Sequence, residues 1–246
     1  MYFQKYNLNI NNKSLKNIFI LSGAGLDQSS GLQTFRSDDG LWAGEDIEAV
    51  ATATGFKNDP DRVYNFYNKR RREVNNHNVK PNKAHYSLVE LEKKYTVNIV
   101  TQNISGLQSE AGSSSVIEIH GNINRAVDIN GNHVHTWKKD LTAKDVCPIC
   151  GSQMRMDIVL FEEQVYHLDK VQELAFNSDL FVSIGTSNNV WPASSIIHIF
   201  KERNKPTIEL NLEKTNISHL FDHSIVGKKA EESVTEFKDY MLELQI

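Results

Sequence analysis

The sequence predicts an α/β fold in which a Rossmann-like, doubly wound parallel sheet carries a smaller domain formed by two insertions. Short apolar runs alternate with longer amphipathic segments, and a glycine-rich turn follows the first run. Apolar runs of four or five residues suit strands covered on both faces, and helical patterns between them suit parallel strands. The 246 residues suffice for one sizeable core with a smaller module attached.

Six apolar runs are predicted as strands and five amphipathic segments as helices. The strands are residues 17–21, 97–100, 116–119, 158–161, 180–184 and 207–210. The helices are residues 61–75, 83–94, 166–177, 192–203 and 230–244. Pro60 and Pro192 indicate helix starts, because proline is favoured in the first helical turn.

Two segments break this alternation. Residues 40–82 are helical in pattern without an intervening strand, and residues 121–156 are polar and contain both cysteines. We expect these insertions to pack together as a small, partly helical domain beside the sheet. The Rossmann-like part then comprises residues 15–39, 83–120 and 157–246, within one unit spanning residues 1–246.

Composition narrows the classes of function. The net charge of −4 is not the strongly basic charge typical of proteins that bind nucleic acid. We therefore do not expect DNA or RNA as a direct ligand. No stretch approaches the ~18 consecutive apolar residues of a membrane span, and residues 1–12 lack the apolar centre of a signal peptide. Two cysteines, Cys147 and Cys150, argue against a disulfide-stapled secreted fold. We expect a cytoplasmic protein, and the oligomeric state stays open.

Two small-residue turns follow predicted strands. Gly23, Gly25 and Gly31 lie after the first strand, and Gly185-Thr186-Ser187 follows the strand at 180–184. Backbone N–H groups at such strand ends can converge on phosphate oxygens. The spacing of the glycines departs from G-x-G-x-x-G, so turns that serve only for packing are the alternative interpretation. Together the two turns favour one bound dinucleotide.

Short motifs occur in a fixed order along almost the whole chain. They are Gly23-Ala24-Gly25, Ser30-Gly31, Phe35-Arg36, Gly40-Leu41-Trp42, Pro81-Asn82-Lys83-Ala84-His85, Thr101-Gln102-Asn103-Ile104, His120-Gly121, Cys147-Pro148-Ile149-Cys150-Gly151, Gly185-Thr186-Ser187 and Asn211-Leu212-Glu213. This ordered set resembles the Sir2 family of NAD-dependent protein deacylases, the sirtuins. The resemblance implies NAD as co-substrate and an acyl-lysine protein or peptide as partner.

The resemblance also implies which residues bind NAD. The loop at 23–36 would wrap the pyrophosphate and nicotinamide ribose, and residues 211–213 would hold the adenosine ribose. The implied set is Gly23, Ala24, Gly25, Asp27, Thr34, Phe35, Arg36, Trp42, Gln102, Asn103, Ile104, Ser105, Gly185, Thr186, Ser187, Asn211, Leu212, Glu213 and Ala230.

His120 and Asn103 are the predicted catalytic residues. An imidazole removes protons well near neutral pH, and the amides of Gln102 and Asn103 suit the orientation of ribose and an ordered water. By residue type alone His120 is more often structural, and the resemblance singles it out as general base. In that mechanism the acyl oxygen attacks the ribose C1′ as nicotinamide leaves, giving O-acyl-ADP-ribose and deacylated lysine.

The chain departs from the family pattern at several positions. Ser105 replaces the acid that helps hold the nicotinamide carboxamide, Gln108 replaces a histidine, Asp27 replaces a serine and Gln33 a proline. Two other functions therefore stay open: an NAD glycohydrolase or ADP-ribosyltransferase, and a non-catalytic NAD-binding protein.

Tyr67 and Arg70 are predicted to bind the acyl group. Residues three apart share a helix face, and a guanidinium beside a phenol suits a carboxylate. The pair matches the Tyr-x-x-Arg of sirtuins that act on succinyl-, malonyl- and glutaryl-lysine, whereas pattern alone favours a solvated basic face. Val159, Phe161 and Glu162 lie in the implied peptide-binding segment, where Glu162 replaces a glycine.

Cys147 and Cys150 are predicted metal ligands. The resemblance implies structural zinc in a zinc-ribbon-like small domain, but the chain lacks a second cysteine pair. Asp128 with His133, or His133 with His135, would complete a mixed site. The alternative is that the cysteine loop is a knuckle that binds no metal and is held by packing alone.

Overall fold

The computed structural model describes residues 15–34, 46–188 and 193–244. Nine strands occur in these ranges: β1 Asn17–Ser22, β2 Thr96–Thr101, β3 Val116–Glu118, β4 Gly121–Asp128, β5 Val134–Thr136, β6 Met154–Ile158, β7 Leu180–Ile184, β8 Thr207–Asn211 and β9 His223–Val226. Six form a parallel sheet in the order β3-β2-β1-β7-β8-β9, and three form an antiparallel sheet in the order β5-β4-β6. The predicted α/β architecture is confirmed.

The described residues form nine α-helices. They are α1 Ala24–Asp27, α2 Ile47–Ala51, α3 Ala53–Asn58, α4 Pro60–Val74, α5 Lys83–Leu91, α6 Leu107–Glu110, α7 Leu168–Phe176, α8 Ala193–Glu202 and α9 Ala230–Glu243. Asp59 caps α4 by accepting from the backbone N–H of Arg62, with Pro60 in the first turn as predicted. The predicted start of α8 at Pro192 lies outside the described residues.

The central strand β1 is buried on both faces. Ile18 and Ile20 join the core beneath α5 and α9, which includes Leu88 and Phe237. Phe19 and Leu21 join the opposite core beneath α7 and α8. Alternate residues of a strand point to opposite faces, so a continuous apolar run is what a sheet covered by helices on both sides requires.

The antiparallel sheet and α2–α4 share a separate core. Val63 and Tyr64 of α4 pack in one cluster with Ile123 of β4 and Met156 of β6. These elements come from the two predicted insertions, which therefore pack together as expected. The module contains a three-stranded sheet as well as helices, and its precise domain boundaries stay a prediction.

Two strand predictions need correction. The run at 158–161 is not a strand of the parallel sheet: β6 ends at Ile158 and pairs with β4. The rest of the run lies between the parallel sheet and the small module, where Phe161 forms an isolated β-bridge with Thr52. The sixth parallel strand is instead β9, whose polar, short sequence gave no apolar run because it lies at the sheet edge.

No helix in the described ranges is long and apolar enough to cross a membrane.

Candidate functional site

The two glycine turns pack directly against each other at the carboxyl ends of β1 and β7. The N–H of Gly23 donates to the oxygen of Ile184 at 2.9 Å, and that of Gly25 donates to the oxygen of Gly185 at 2.8 Å. A Cβ on Gly25 would lie 2.7 Å from the Cα of Gly185. This close approach leaves no room for a side chain at position 25. The two predicted turns therefore form one continuous surface of small residues.

The ends of β2 and β8 reach the same surface. Asn103 donates through Nδ2 to the oxygen of Gly23 at 3.0 Å, and Gln102 donates through Nε2 to Oγ1 of Thr186 at 2.9 Å. Asn211 donates through Nδ2 to the oxygen of Thr186 at 2.8 Å. Four parallel strands therefore end around one crevice, which is where open α/β sheets bind ligands.

His120 joins this network through Gln102. Its Nδ1 lies 3.0 Å from the Gln102 backbone oxygen. A carbonyl only accepts, so Nδ1 carries the proton and Nε2 bears the lone pair. Burial lowers the pKa of His120 below its usual 6.5, with the Gln102 hydrogen bond opposing the shift. The side chain is half-buried and neutral at pH 7, in the tautomer of a base.

Asp27 and Ser105 form a second, buried polar cluster with His85. The Ser105 hydroxyl lies 2.7 Å from Oδ2 of Asp27, and Nε2 of His85 lies 3.1 Å from Oδ1. All three side chains are buried, and Asp27, Asn103 and Ser105 line one narrow cavity. Sequence reasoning gave His85 no role, although it stands in one of the quoted motifs.

The other predicted NAD-binding residues are distributed around the crevice. Ala24 opens α1, Ala230 opens α9, and Leu212 and Glu213 are exposed after β8. The N–H of Gly227 donates to the oxygen of Leu212 at 2.9 Å, which connects the turn before Ala230 to the residue that follows β8. Ile104, Ser187 and Thr34 are half-buried. Phe35, Arg36 and Trp42 lie outside the described residues.

Tyr67 and Arg70 are both buried on α4, so a solvated basic face is wrong for these two positions. Arg70 donates through Nη1 to both carboxylate oxygens of Glu73 at 2.8 Å, and its guanidinium lies 5.0 Å from the ring centroid of Phe66. Burial raises the pKa of Tyr67 well above its usual range, so the phenol keeps its proton. Glu73 already supplies Arg70 with one carboxylate.

The predicted peptide-binding segment connects His120 with α2 and α3. The N–H of Val159 donates to the oxygen of His120 at 3.0 Å, and that of Phe161 donates to the oxygen of Ala51 at 2.8 Å. Glu162 has a φ of 77°, a conformation that favours glycine. Its carboxylate accepts from the backbone N–H and hydroxyl of Thr54, at 3.0 and 2.8 Å, and thus sits at the start of α3.

Four of the predicted metal ligands meet in the small module. The ligand atoms of Asp128, His133, Cys147 and Cys150 lie within 4.8 Å of one another. His135 lies beside them, with Nε2 3.3 Å from Sγ of Cys147. Hydrogen bonds, chiefly from the Ser152 backbone, lower the pKa of Cys150 to about 7. Two sulfur donors with imidazole and carboxylate are a donor set that fits zinc.

The Asp128 carboxylate also has a structural task. It accepts from the backbone N–H groups of Asn130, Asn132 and His133, at 2.9, 3.0 and 2.5 Å. These bonds close the turn between β4 and β5. His133 and His135 are therefore presented toward the cysteines by a turn that Asp128 holds together.

Comparisons with known proteins agree with this geometry. The Sir2 family model matches residues 23–192. An NAD-dependent protein deacylase of Bdellovibrio bacteriovorus is 41% identical over 221 residues, covering 88% of this chain and 93% of that protein. One of Vibrio parahaemolyticus is 40% identical over 233 residues, covering 93% and 96%.

Solved structures give the same result. A mutant Sir2 homologue in complex with ADP-ribose superimposes with a TM-score of 0.88 at 32% identity, over 98% of each chain. A Sir2 homologue in complex with NAD superimposes with a TM-score of 0.86 at 31% identity, over 97% of this chain and 94% of that one. The chain belongs to the Sir2 family.

Proposed function

We propose that this chain is an NAD-dependent protein-lysine deacylase that releases nicotinamide, O-acyl-ADP-ribose and deacylated lysine. The observation that carries the proposal is the chain of contacts from His120 through Gln102 to Thr186 and the paired glycine turns. It sets a neutral imidazole beside a dinucleotide-type crevice. The names of the two bacterial relatives support the same activity.

The dinucleotide site is assigned to the edge where β1, β2, β7 and β8 end. The hydroxyls of Thr186 and Ser187, beside the paired glycine turns, suit pyrophosphate oxygens, whereas the N–H groups of Gly23, Gly25 and Gly185 already donate to backbone oxygens within the fold. The exposed side chain of Glu213 and the amide of Asn211 suit ribose hydroxyls. NAD supplies the ribose carbon to which the acyl oxygen bonds as nicotinamide leaves.

His120 acts as the general base and Asn103 orients the ribose. Because Nδ1 of His120 donates to Gln102, Nε2 is the atom that accepts a proton from a ribose hydroxyl. Asn103 is held by its bond to Gly23, which fixes the amide beside the same crevice. Hydrogen bonds within the fold therefore hold both side chains in fixed orientations at the crevice.

The acyl chain is assigned to α4, with a preference for acidic groups. Tyr67 stays protonated and offers an O–H donor, while Arg70 offers guanidinium N–H groups. An acyl carboxylate would compete with Glu73 for Nη1 of Arg70. The proposal therefore places succinyl-, malonyl- and glutaryl-lysine ahead of acetyl-lysine.

The peptide is assigned to the segment around Val159, Phe161 and Glu162. Its backbone lies between His120 and α3, so a lysine gripped there points toward the crevice. Thr54 holds the Glu162 carboxylate beside this segment, and because like charges repel, acidic peptides are expected to bind less well near it.

A cytoplasmic location stays a prediction.

Zinc is assigned a structural role in the small module. Cys147 and Cys150 supply two thiolates, and His133, His135 and Asp128 are the candidates for the remaining positions. The ion would tie the turn between β4 and β5 to the cysteine loop.

Mass spectrometry of acyl-lysine peptides tests the function. Acetyl-, succinyl- and glutaryl-lysine versions of one peptide are incubated with and without NAD, using wild type and His120→Ala. NAD-dependent loss of the acyl group by wild type alone is the expected result. NAD cleavage without acyl-lysine would favour the glycohydrolase, and NAD binding without turnover would favour the non-catalytic protein.

A further inference from the structure

We propose that Glu209 is a positioning residue for the dinucleotide site, where its buried carboxylate holds the turn at residues 185–188 and the loop at residues 215–218. This inference rests on the proposed function, which assigns NAD to the edge where β7 and β8 end. Glu209 lies within β8 and carries no role in the proposed reaction.

The Glu209 side chain is a carboxylate in the interior of the parallel sheet. It is fully buried, at 0% exposure, and its backbone pairs with Ser183 of β7 and Ser224 of β9. In the described parts of the chain, no lysine, arginine or histidine forms an ion pair with it. A buried charge destabilises a fold unless hydrogen bonds replace the lost water. Packing of the sheet therefore does not account for a carboxylate at this position.

Three side-chain donors replace that water, and each comes from a different segment. Nδ2 of Asn188 and the hydroxyl of Thr215 donate to Oε1 of Glu209, at 3.3 and 2.8 Å. The hydroxyl of Ser224 donates to Oε2 at 2.5 Å. The carboxylate therefore joins the turn after β7, the loop after β8 and the edge strand β9.

Asn188 connects Glu209 with the second glycine turn. Its φ of 55° is left-handed, and its Oδ1 accepts from the hydroxyl of Ser183 at 2.9 Å while Nδ2 donates to Glu209. The amide is thus held at both ends, which fixes its orientation. The backbone N–H of Asn188 donates to Oγ1 of Thr186 at 3.3 Å.

This arrangement leaves the hydroxyl proton of Thr186 for a ligand. Oγ1 of Thr186 accepts from Nε2 of Gln102 at 2.9 Å as well as from Asn188. A hydroxyl has two acceptor sites and one donor, so both acceptor sites are used. The part of the chain that the structure describes supplies no acceptor for the proton. Glu209, through Asn188, therefore orients a hydrogen-bond donor at the crevice.

The loop after β8 is held by the same carboxylate. Besides its contact with Oε1, Thr215 donates its backbone N–H to Oγ of Ser218 at 2.7 Å. This loop follows residues 211–213, and Asn211 in turn donates to the oxygen of Thr186 at 2.8 Å. Both flanks of the proposed site are thus joined before NAD binds, which lowers the entropy that binding must remove.

Calorimetric titration with NAD, combined with deacylation kinetics, tests the proposal. The variants are Glu209→Gln and Asn188→Gly, and glycine adopts the φ of Asn188 without strain. We expect each variant to raise the Kd and the KM for NAD by about fivefold or more, because the site is no longer preorganised. The kcat should stay within about threefold and the KM for peptide within about twofold of wild type, as expected when only NAD binding is weakened.

Asp222→Asn is the matched control, because Asp222 holds the opposite end of the same strand. Its Oδ2 accepts from the backbone N–H and the hydroxyl of Thr207, both at 2.9 Å, where β8 begins. The variant should lower Tm by weakening the same part of the sheet. Its Kd for NAD should stay within about twofold of wild type, since it leaves the contacts of Glu209 intact.

A purely structural role for Glu209 gives a different pattern. Folded Glu209→Gln would then show a lower Tm with the wild-type Kd and KM for NAD, and this result would overturn the proposal. An equal rise of the Kd for NAD in Asp222→Asn would also overturn it. If Glu209→Gln does not fold, Asn188→Gly decides the question, because the carboxylate keeps its contacts with Thr215 and Ser224. A wild-type Kd in folded Asn188→Gly would then refute the proposal.

Failure of the proposed function is distinguishable from failure of this role. Wild type that binds NAD but removes no acyl group would refute the deacylase assignment, and the comparison of Kd values would still decide the role of Glu209. Wild type without affinity for NAD would overturn both.

Discussion

The Nδ1 of His120 lies 3.0 Å from the backbone oxygen of Gln102, and this hydrogen bond decides which ring nitrogen carries the proton. The same Gln102 side chain donates to Thr186 at the second glycine turn. One residue therefore fixes the tautomer of the proposed base and anchors it to the proposed dinucleotide site.

The pH dependence of catalysis should reflect the lowered pKa of His120. The active form is the neutral imidazole, and burial stabilises it, so activity is lost only as pH falls through a pKa below 6.5. We expect the acid limb of kcat/KM to lie below pH 6.5. His120→Ala should lose about 100-fold or more of the activity. An acid limb at or above pH 7, or an active alanine variant, would contradict the assignment.

Replacement of Arg70 should change acyl selectivity. Arg70→Met removes the guanidinium, so kcat/KM for succinyl-lysine peptide should fall by about tenfold or more while acetyl-lysine changes by less than about threefold. Arg72→Met is the matched control, because Arg72 lies on the same helix and pairs with exposed Asp140. Equal losses on both substrates would argue against the acidic pocket.

Gly121 should be intolerant of any side chain. Its φ is +83°, and a Cβ there would lie 2.0 Å from the backbone oxygen of Asp157. Gly121→Ala should therefore destabilise the protein by about 3 kcal/mol or more, lowering Tm by roughly 10 °C.

The matched control is Gly112→Ala, where φ is +102° and nothing lies within 4 Å of the added Cβ. Only backbone strain remains at that position, so we expect Gly112→Ala to lower the free energy of unfolding by about 1 kcal/mol. Comparable Tm losses in thermal melts of the two variants would show that the contact with Asp157 is unimportant.

Metal analysis tests the cysteine cluster. We expect about one zinc per chain, a fall in Tm with a chelator, and loss of the metal in Cys147→Ser, because thiolate ligands close a structural site. His77→Ala, at an exposed turn, is the control and should retain zinc. Zinc-free wild type with an unchanged Tm in chelator would indicate a knuckle held by packing alone.

Much of the fold was predictable because buried strands leave continuous apolar runs. The strands around Ile18, Val100 and Val182 were placed from such runs. The edge strand at His223–Val226 was not, because two of its four residues are polar and it contains no continuous apolar run. The run after Ile158 was misplaced, since burial between two units resembles burial in a sheet.

The site was predictable as a set of residues but not as a set of contacts. The two glycine turns were identified from their place after predicted strands, whereas His120 was singled out as the base only by the resemblance of the ordered motifs to the Sir2 family. Pairing of Asp27 with Ser105 depends on how β1 and β2 bring their following loops together. The ion pair of Arg70 with Glu73 depends on burial of α4, which pattern alone did not indicate.

The ratio of nicotinamide released to lysine deacylated tests the central claim most directly. Both products are quantified by mass spectrometry in the same reaction of wild-type enzyme with NAD and succinyl-lysine peptide. The account predicts a ratio of about one, with O-succinyl-ADP-ribose as the third product and negligible nicotinamide when unmodified peptide replaces the substrate. Nicotinamide release that is independent of acyl-lysine, with no deacylated peptide, would contradict it.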